Sequence, residues 1–187
     1  MDTNDKIHFA EDTSKETYDL SPWKIMIADD EKDVHEVTEL ALNRFMFDNR
    51  PLTFLHAYTA NEAKELLHSN PDIAVILLDC VMETDDAGLE FVKYIREELH
   101  NKLIRIILRT GQPGHAPERE VITNYDINDY KSKAELTAQR LFTTIVTSLR
   151  SYKAEHTLLE EKKRYALPYN LLPMASYQLT LTAISLI

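Results

Sequence analysis

Residues 73–78, six consecutive apolar residues between Pro71 and Asp79, constrain the fold more than any other segment. A run this short and continuous is typical of a strand with both faces covered, as in parallel sheets flanked by helices. Other apolar runs alternate with stretches of helical periodicity between Trp23 and Arg150. The sequence therefore predicts an α/β fold, a (βα)5 doubly wound parallel sheet with an extended C-terminal helix.

The hydrophobic pattern also predicts where the elements lie. Strands are expected at residues 23–28, 52–58, 73–78, 103–108 and 126–130. Helices are expected from about 34 to 47, from 59 to 67, from 89 to 99, around 117–124, and from 134 onward. The spacing of Ile145, Leu149, Tyr152, His156 and Leu159 in the last helix indicates a weak coiled-coil seam.

Changes in composition divide the chain into four parts. Residues 1–21 are polar and acidic and are interpreted as a flexible tail, and residues 22–150 contain the alternating pattern. Residues 151–164 are expected to be a helical extension or linker. Residues 165–187 carry no charge but contain prolines and polar side chains, so a membrane span is disfavoured and a remnant of a longer chain is expected.

Residue counts exclude several classes of protein. One cysteine cannot form a disulfide framework, and three glycines cannot build a dinucleotide-binding fingerprint or a phosphate-binding loop of the Walker type. A formal charge of −10 argues against a nucleic-acid partner, because phosphates are bound by clustered Lys and Arg. We expect a protein of a reducing compartment, the cytoplasm.

Five polar residues follow apolar strands: Asp29, Asp30, Asp79, Thr110 and Lys133. In an open parallel sheet these strand ends meet at one edge, where ligands bind. Three carboxylates at one place require a cation, and ligands that are all oxygen favour Mg²⁺. A carboxylate, a hydroxyl, an ammonium group and a metal together indicate a phosphoryl-acceptor site.

Four segments then carry a resemblance to a known family. They are residues 27–31 with the pair Asp29-Asp30, residues 76–82 with Asp79, residues 106–111 with Thr110, and residues 129–133 with Asp129, Tyr130 and Lys133. Together they resemble the receiver domain of bacterial response regulators, which has the CheY-like, flavodoxin-like fold. The resemblance covers about residues 23–150 and is to receivers at the N-terminus of longer regulators, some ending in cyclic-dinucleotide hydrolase or kinase-like modules.

The resemblance implies a phosphorelay role. Asp79 would accept a phosphoryl group from a sensor histidine kinase or a phosphotransfer protein. Mg²⁺ or Mn²⁺ would be held by Asp30, Asp79 and the Val81 carbonyl, with Asp29 acting through water. The protein would perform only its own phosphotransfer and autodephosphorylation, and would not be an enzyme acting on other substrates.

The resemblance also implies a switch. Lys133 would pair with the phosphoryl oxygens, the Thr110 hydroxyl would bond to one of them, and Tyr130 would turn inward to change the surface of the last helices and strand. Val81 and Gln112 would tune dephosphorylation.

Two alternatives remain open at this point: a Mg²⁺-dependent phosphatase with an aspartyl nucleophile, and a degenerate receiver acting only as a dimerisation or interaction scaffold. The helical extension leaves a homodimer through the last helices open as well.

Three features receive no functional role from the pattern. Cys80 is interpreted as a small buried hydrophobic residue, Arg109 beside Thr110 is unexplained, and the seven histidines show no metal-ligand spacing.

Overall fold

The computed structural model describes residues 21–111, 125–133 and 137–166. The acidic segment 1–20, the segment 167–187, the helix expected around 117–124 and Gln112 lie outside the described residues.

Six strands form one sheet. They are β1 (Trp23–Ala28), β2 (Met46–Phe47), β3 (Arg50–Ala57), β4 (Ile73–Asp79), β5 (Arg105–Thr110) and β6 (Asp129–Ser132). Their order is β2-β3-β1-β4-β5-β6, and all neighbours are parallel except β2 and β3. All seven residues of β4 are buried, as the continuous apolar run predicts. The predicted doubly wound parallel sheet is confirmed.

In the described part of the chain, four α-helices and one π-helical turn flank the sheet. They are α1 (Lys32–Ala41), α2 (Ala60–Ser69), α3 (Ala87–Lys93), the π-helical turn (Tyr94–Glu98) and α4 (Ala138–Ala166). Helix α2 begins at Ala60, one residue after its expected start, and Thr59 caps it. The Thr59 hydroxyl accepts a hydrogen bond from the Glu62 amide at 3.1 Å, and the Glu62 carboxylate accepts one from the Tyr58 amide at 2.7 Å.

The first helix is shorter than predicted. It ends at Ala41 rather than near residue 47, and Met46–Phe47 forms a small antiparallel hairpin with β3. The two residues that join these strands, Asp48 and Asn49, have φ of 51° and 59°, as a tight hairpin turn requires. Phe45 therefore fits the helical spacing but lies outside α1, between this helix and β2.

Other boundaries differ by two or three residues. The strand expected at 103–108 is Arg105–Thr110, and the strand expected at 126–130 is Asp129–Ser132. Asp126 has a φ of 50°, so the chain turns there before it enters the sheet.

The helix expected at 89–99 begins at Ala87 and changes at Tyr94 to the π-helical turn. The last helix extends through Ala166, and its start is described from Ala138 rather than from 134.

Apolar clusters cover both faces of the sheet. One includes Met26, Ile76 and Phe91; the other includes Ile27, Leu77 and the buried side of α4. In α4 the buried apolar residues are Leu141, Ile145, Leu149 and Tyr152. The first three residues of the predicted coiled-coil seam thus belong to the domain core, whereas His156 and Leu159 are exposed. Within the described ranges, no helix is long and apolar enough to cross a membrane.

Candidate functional site

The carboxyl ends of four strands place the predicted polar residues together. Asp29 follows β1, Asp79 ends β4, Thr110 ends β5, and Lys133 follows β6. The strands are in parallel register, with Asp79 opposite Arg109 of β5. Because β1 and β4 are neighbours in the sheet, their terminal carboxylates lie side by side.

Lys133 is the centre of this group of charges. Its Nζ lies 2.7 Å from Asp79 Oδ2, 2.7 Å from Glu31 Oε1 and 3.3 Å from both carboxylate oxygens of Asp29. Burial alone would lower the pKa of Lys133, but the hydrogen bonds to Asp79 and Glu31 and the charge of Asp29 outweigh it and raise the pKa. The hydrogen bond from Lys133 and the charge of Lys133 lower the pKa of Glu31. Lys133 is therefore a fixed cation among three carboxylates.

Asp79 is buried at the centre of the site. Burial raises the pKa of its carboxyl above the ordinary value, and the charge of Asp29 acts in the same direction, against the opposing hydrogen bond from Lys133. Its second oxygen, Oδ1, accepts a long hydrogen bond from the Val81 amide, 3.4 Å. Asp79 is thus a desolvated carboxylate that keeps acceptor capacity.

Asp29 is fully buried and heavily bonded. Its Oδ1 accepts hydrogen bonds from the Glu31 amide at 3.1 Å and from Lys133. Its Oδ2 accepts one from Arg109 Nη2 at 3.2 Å. These bonds satisfy a carboxylate that has no access to solvent.

The acidic residues fit a divalent cation. Oxygen atoms of Asp29, Asp30, Glu31 and Asp79 lie within 4.8 Å of one another. Every donor is a carboxylate oxygen, the ligand type that Mg²⁺ prefers. Val81 lies next to this cluster because its amide reaches Asp79; the role of its carbonyl stays a prediction.

Thr110 and Tyr130 lie on neighbouring strands, β5 and β6, where Thr110 is opposite Ser132 and Tyr130 is opposite Leu108. Thr110 is buried at the end of β5, and Tyr130 of β6 packs into the apolar cluster on the α2–α3 side of the sheet. Tyr130 is therefore already turned inward.

Burial raises the pKa of Cys80 to about 12, and the nearby charge of Asp79 acts in the same direction. Its thiol stays protonated, in agreement with its interpretation as a small hydrophobic residue.

Sequence reasoning missed two residues that contact the site, Glu31 and Arg109. Glu31 directly follows the acidic pair, so its place in the cluster could have been inferred from adjacency. Arg109 is a charged residue in a strand whose residues are all buried, and such a residue needs a buried carboxylate partner. Its partner, Asp29, lies 80 residues away in the sequence, and only the fold brings the two together.

A pair of histidines also supports the turn after β1. His35 Nε2 donates to the Asp29 carbonyl at 2.7 Å, His35 Nδ1 meets His56 Nδ1 at 2.8 Å, and His56 Nε2 donates to Glu39 at 2.9 Å. These contacts join helix α1 to β3 and to the backbone of Asp29. Burial lowers the pKa of His35.

Comparisons with known proteins show what this chain is similar to. No protein-family model matches the chain. A curated relative, the 3'3'-cGAMP-specific phosphodiesterase 2 of Vibrio cholerae serotype O1, is 47% identical over 142 residues, which is 76% of this chain and 27% of the relative. The chain thus spans about a quarter of the length of that relative.

Solved structures show the fold. A signal receiver domain of an HD domain-containing protein from Pseudomonas fluorescens Pf-5 matches with a TM-score of 0.62 at 20% identity, over 73% of this chain and 93% of that one. The N-terminal domain of a response regulator from Carboxydothermus hydrogenoformans matches with a TM-score of 0.58 at 23% identity, over 71% and 98%. The chain has the fold of a response-regulator receiver domain. In this chain, the acidic cluster and Lys133 lie at the edge of the sheet where the strands end.

Proposed function

We propose that this receiver is a phosphoacceptor, with Asp79 as the residue that takes the phosphoryl group. The observation that carries the proposal is the position of Asp79: a buried carboxylate beside three other acidic residues, with Lys133 Nζ at 2.7 Å. This set of groups suits transfer of a phosphoryl group to a carboxylate.

The donor would be a phosphohistidine on a sensor histidine kinase or a phosphotransfer protein. A carboxylate oxygen of Asp79 attacks the phosphorus, and the phosphorus–nitrogen bond breaks. The electron pair of that bond returns to the imidazole of the donor, which takes up a proton. The product is an acyl phosphate on Asp79.

Two neighbouring side chains would bind the phosphoryl group. Lys133 already contacts Asp79 and would pair with the phosphoryl oxygens as a fixed positive charge. Thr110 lies at the end of the adjacent strand, where its hydroxyl can donate to the same group. Donors that are held in place before the reaction lose little entropy when charge develops.

Asp29, Asp30, Asp79 and the carbonyl of Val81 would hold Mg²⁺ or Mn²⁺. When bound, such an ion supplies positive charge that neutralises the phosphoryl oxygens. Asp29 would act through water, because its two oxygens already accept hydrogen bonds from protein groups. The protein's own chemistry would be limited to acceptance and loss of this one group.

Intact mass measurement tests the proposal. The wild-type protein, incubated with acetyl phosphate and Mg²⁺, should gain the mass of one phosphoryl group, and removal of Mg²⁺ with a chelator should prevent the gain. Asp79→Asn should not be modified. Asp85→Asn, which changes an exposed acidic residue of the following loop, is the matched control and should be modified like the wild type. Equal modification of Asp79→Asn would refute the assignment.

We further propose that the process regulated by this receiver is hydrolysis of 3'3'-cGAMP. The support is the curated relative, which is a 3'3'-cGAMP-specific phosphodiesterase and is 47% identical to this chain over 142 residues. The test is the cellular level of 3'3'-cGAMP in a strain that carries Asp79→Asn at the chromosomal locus. A changed level, with no change for Asp85→Asn, would support the proposal. An unchanged level in both strains would contradict it.

A further inference from the structure

Arg109 is a buried charge that the phosphoacceptor chemistry does not use directly. It is 3% exposed, and its neighbours in β5 are buried as well. Its Nη2 donates to Asp29 Oδ2 at 3.2 Å and its Nη1 donates to Thr38 Oγ1 at 3.2 Å. Its Nε has no hydrogen-bond partner among the described residues. A guanidinium is costly to bury, so its presence beneath the site requires a reason.

The contact with Thr38 fixes the position of this guanidinium. The Thr38 hydroxyl donates to the Val34 carbonyl at 2.6 Å, which leaves its oxygen lone pairs for Arg109 Nη1. Arg109 thus links β5, helix α1 and the carboxylate after β1. It cannot leave Asp29 without breaking the bond to the helix.

Lys133 is different in this respect. Its side chain is 19% exposed and shares its charge among Asp29, Glu31 and Asp79. An ammonium group has three donors, and a phosphoryl group on Asp79 would compete for them. When Lys133 turns to that group, Asp29 loses its contacts with Lys133 and keeps its contact with Arg109.

We infer that Arg109 is a positioning residue, the permanent counter-charge of Asp29, and that it releases Lys133 to bind the phosphoryl group. In the charge balance of the site, four carboxylates with Lys133 and Arg109 leave two negative charges, the number that one divalent cation neutralises. Arg109 would thereby limit the affinity of the site for the cation. The part of this inference that concerns the phosphoryl group rests on the proposed function.

Binding of Mn²⁺, measured by calorimetry at pH 8, tests the charge balance without any phosphoryl transfer. Arg109→Gln keeps an N–H donor but removes the charge, and it should bind Mn²⁺ about tenfold more tightly because a nearby like charge is lost. Arg109→Lys keeps the charge and should bind within about threefold of the wild type. If Arg109→Gln does not fold, Arg109→Met gives the same test.

Arg105→Met is the matched control. Arg105 is also a buried arginine of β5, but it lies at the other end of the strand and pairs with Glu155 of α4. Its loss should leave Mn²⁺ affinity unchanged. Unchanged or weaker binding in the uncharged Arg109 variants, or equal tightening in Arg105→Met, would overturn the inference.

The rate of modification by acetyl phosphate at saturating Mg²⁺ gives a second readout. In Arg109→Gln, Lys133 is the one charged partner left to Asp29 among the described residues, so the rate should fall about tenfold while Arg109→Lys recovers most of it. A wild-type rate in Arg109→Gln would contradict release of Lys133. If the wild type itself is not modified, the proposed function fails, but the Mn²⁺ measurements still decide whether Arg109 balances the charge of Asp29.

Discussion

Asp79 combines burial with negative charge, and this combination has a measurable cost in stability. Because the folded protein raises the pKa of Asp79, it binds that proton more tightly than the unfolded chain does. Above the pKa that Asp79 has in the unfolded chain, ionisation of Asp79 therefore lowers the free energy of unfolding. Without divalent ions, Asp79→Asn should increase the free energy of unfolding by about 1 kcal/mol at pH 7.5 in urea titrations.

The pH dependence checks the cause of that effect. As the pH falls through the raised pKa of Asp79, the wild type takes up its proton and the advantage of Asp79→Asn should shrink toward zero. Asp85→Asn, in an exposed position, should show no comparable gain at any pH. A variant Asp79→Asn that is less stable than the wild type at pH 7.5 would contradict this account.

Val81 is expected to make the phosphorylated state long-lived. It lies two residues after Asp79 and contacts it through its amide, but its apolar side chain cannot hydrogen-bond an attacking water. Val81→Asn should speed loss of the phosphoryl group on the order of fivefold by positioning that water. The decay of the phosphorylated mass species measures the rate. Val81→Leu is the apolar control, and equal decay in all three proteins would be evidence against the idea.

At the scale of single residues, strand-end reasoning was sufficient to bring Asp29, Asp79 and Lys133 together. It worked because parallel strands all present their carboxyl ends at one edge, a property of topology alone. It could not assign Arg109, since the partner of a charged residue inside a strand depends on which face of the sheet it occupies. Gln112 lies outside the described residues, so its role in dephosphorylation stays a prediction.

Packing of helix α3 against the end of β4 makes Gly88 indispensable. A Cβ at this position would lie 2.0 Å from the Asp79 carbonyl oxygen and 2.9 Å from the Cys80 Cα, both backbone atoms that cannot move without shifting the site. Gly88→Ala should therefore lower the free energy of unfolding by about 3 kcal/mol.

Gly111→Ala is the matched comparison, because the nearest atom to its added Cβ is Lys133 Cδ at 4.0 Å. Its effect should stay within about 1 kcal/mol. Thermal unfolding of both variants measures the difference. Similar destabilisation by the two substitutions would show that the contact with the Asp79 backbone is not the cause.

At the scale of elements, periodicity predicted which helices and strands exist more reliably than where they end. The helical spacing of Phe45 continues beyond Ala41, but the chain has already turned into the β2–β3 hairpin. The turn of this hairpin depends on the positive φ of Asp48 and Asn49, and a hydrophobic pattern carries no information on backbone φ. Likewise, the spacing of Ile145 and Leu149 fits a coiled-coil seam and a domain core equally well. In the structure both residues pack against the sheet beside α4 and belong to the core.

At the scale of the whole molecule, we expect the protein to accept a phosphoryl group but not to act as a phosphatase on other phosphoesters. The described residues contain one cluster that could hold a metal, and it surrounds Asp79 itself. With p-nitrophenyl phosphate and Mg²⁺, release of nitrophenol beyond one equivalent per protein should be no faster than the loss of the phosphoryl group from Asp79, as expected of an acceptor that only releases its own group. Turnover that is much faster than this loss and that disappears in Asp79→Asn would instead favour the aspartyl-nucleophile phosphatase.

Identification of the modified residue shows whether Asp79 is the phosphoacceptor. Borohydride reduces an acyl phosphate of aspartate to homoserine, which peptide mass spectrometry distinguishes from unmodified aspartate. After treatment with acetyl phosphate and Mg²⁺, we expect homoserine at Asp79, with Asp29, Asp30 and Glu31 unchanged. Reduction at one of those three residues, with Asp79 intact, would contradict the assignment of Asp79 as the phosphoacceptor.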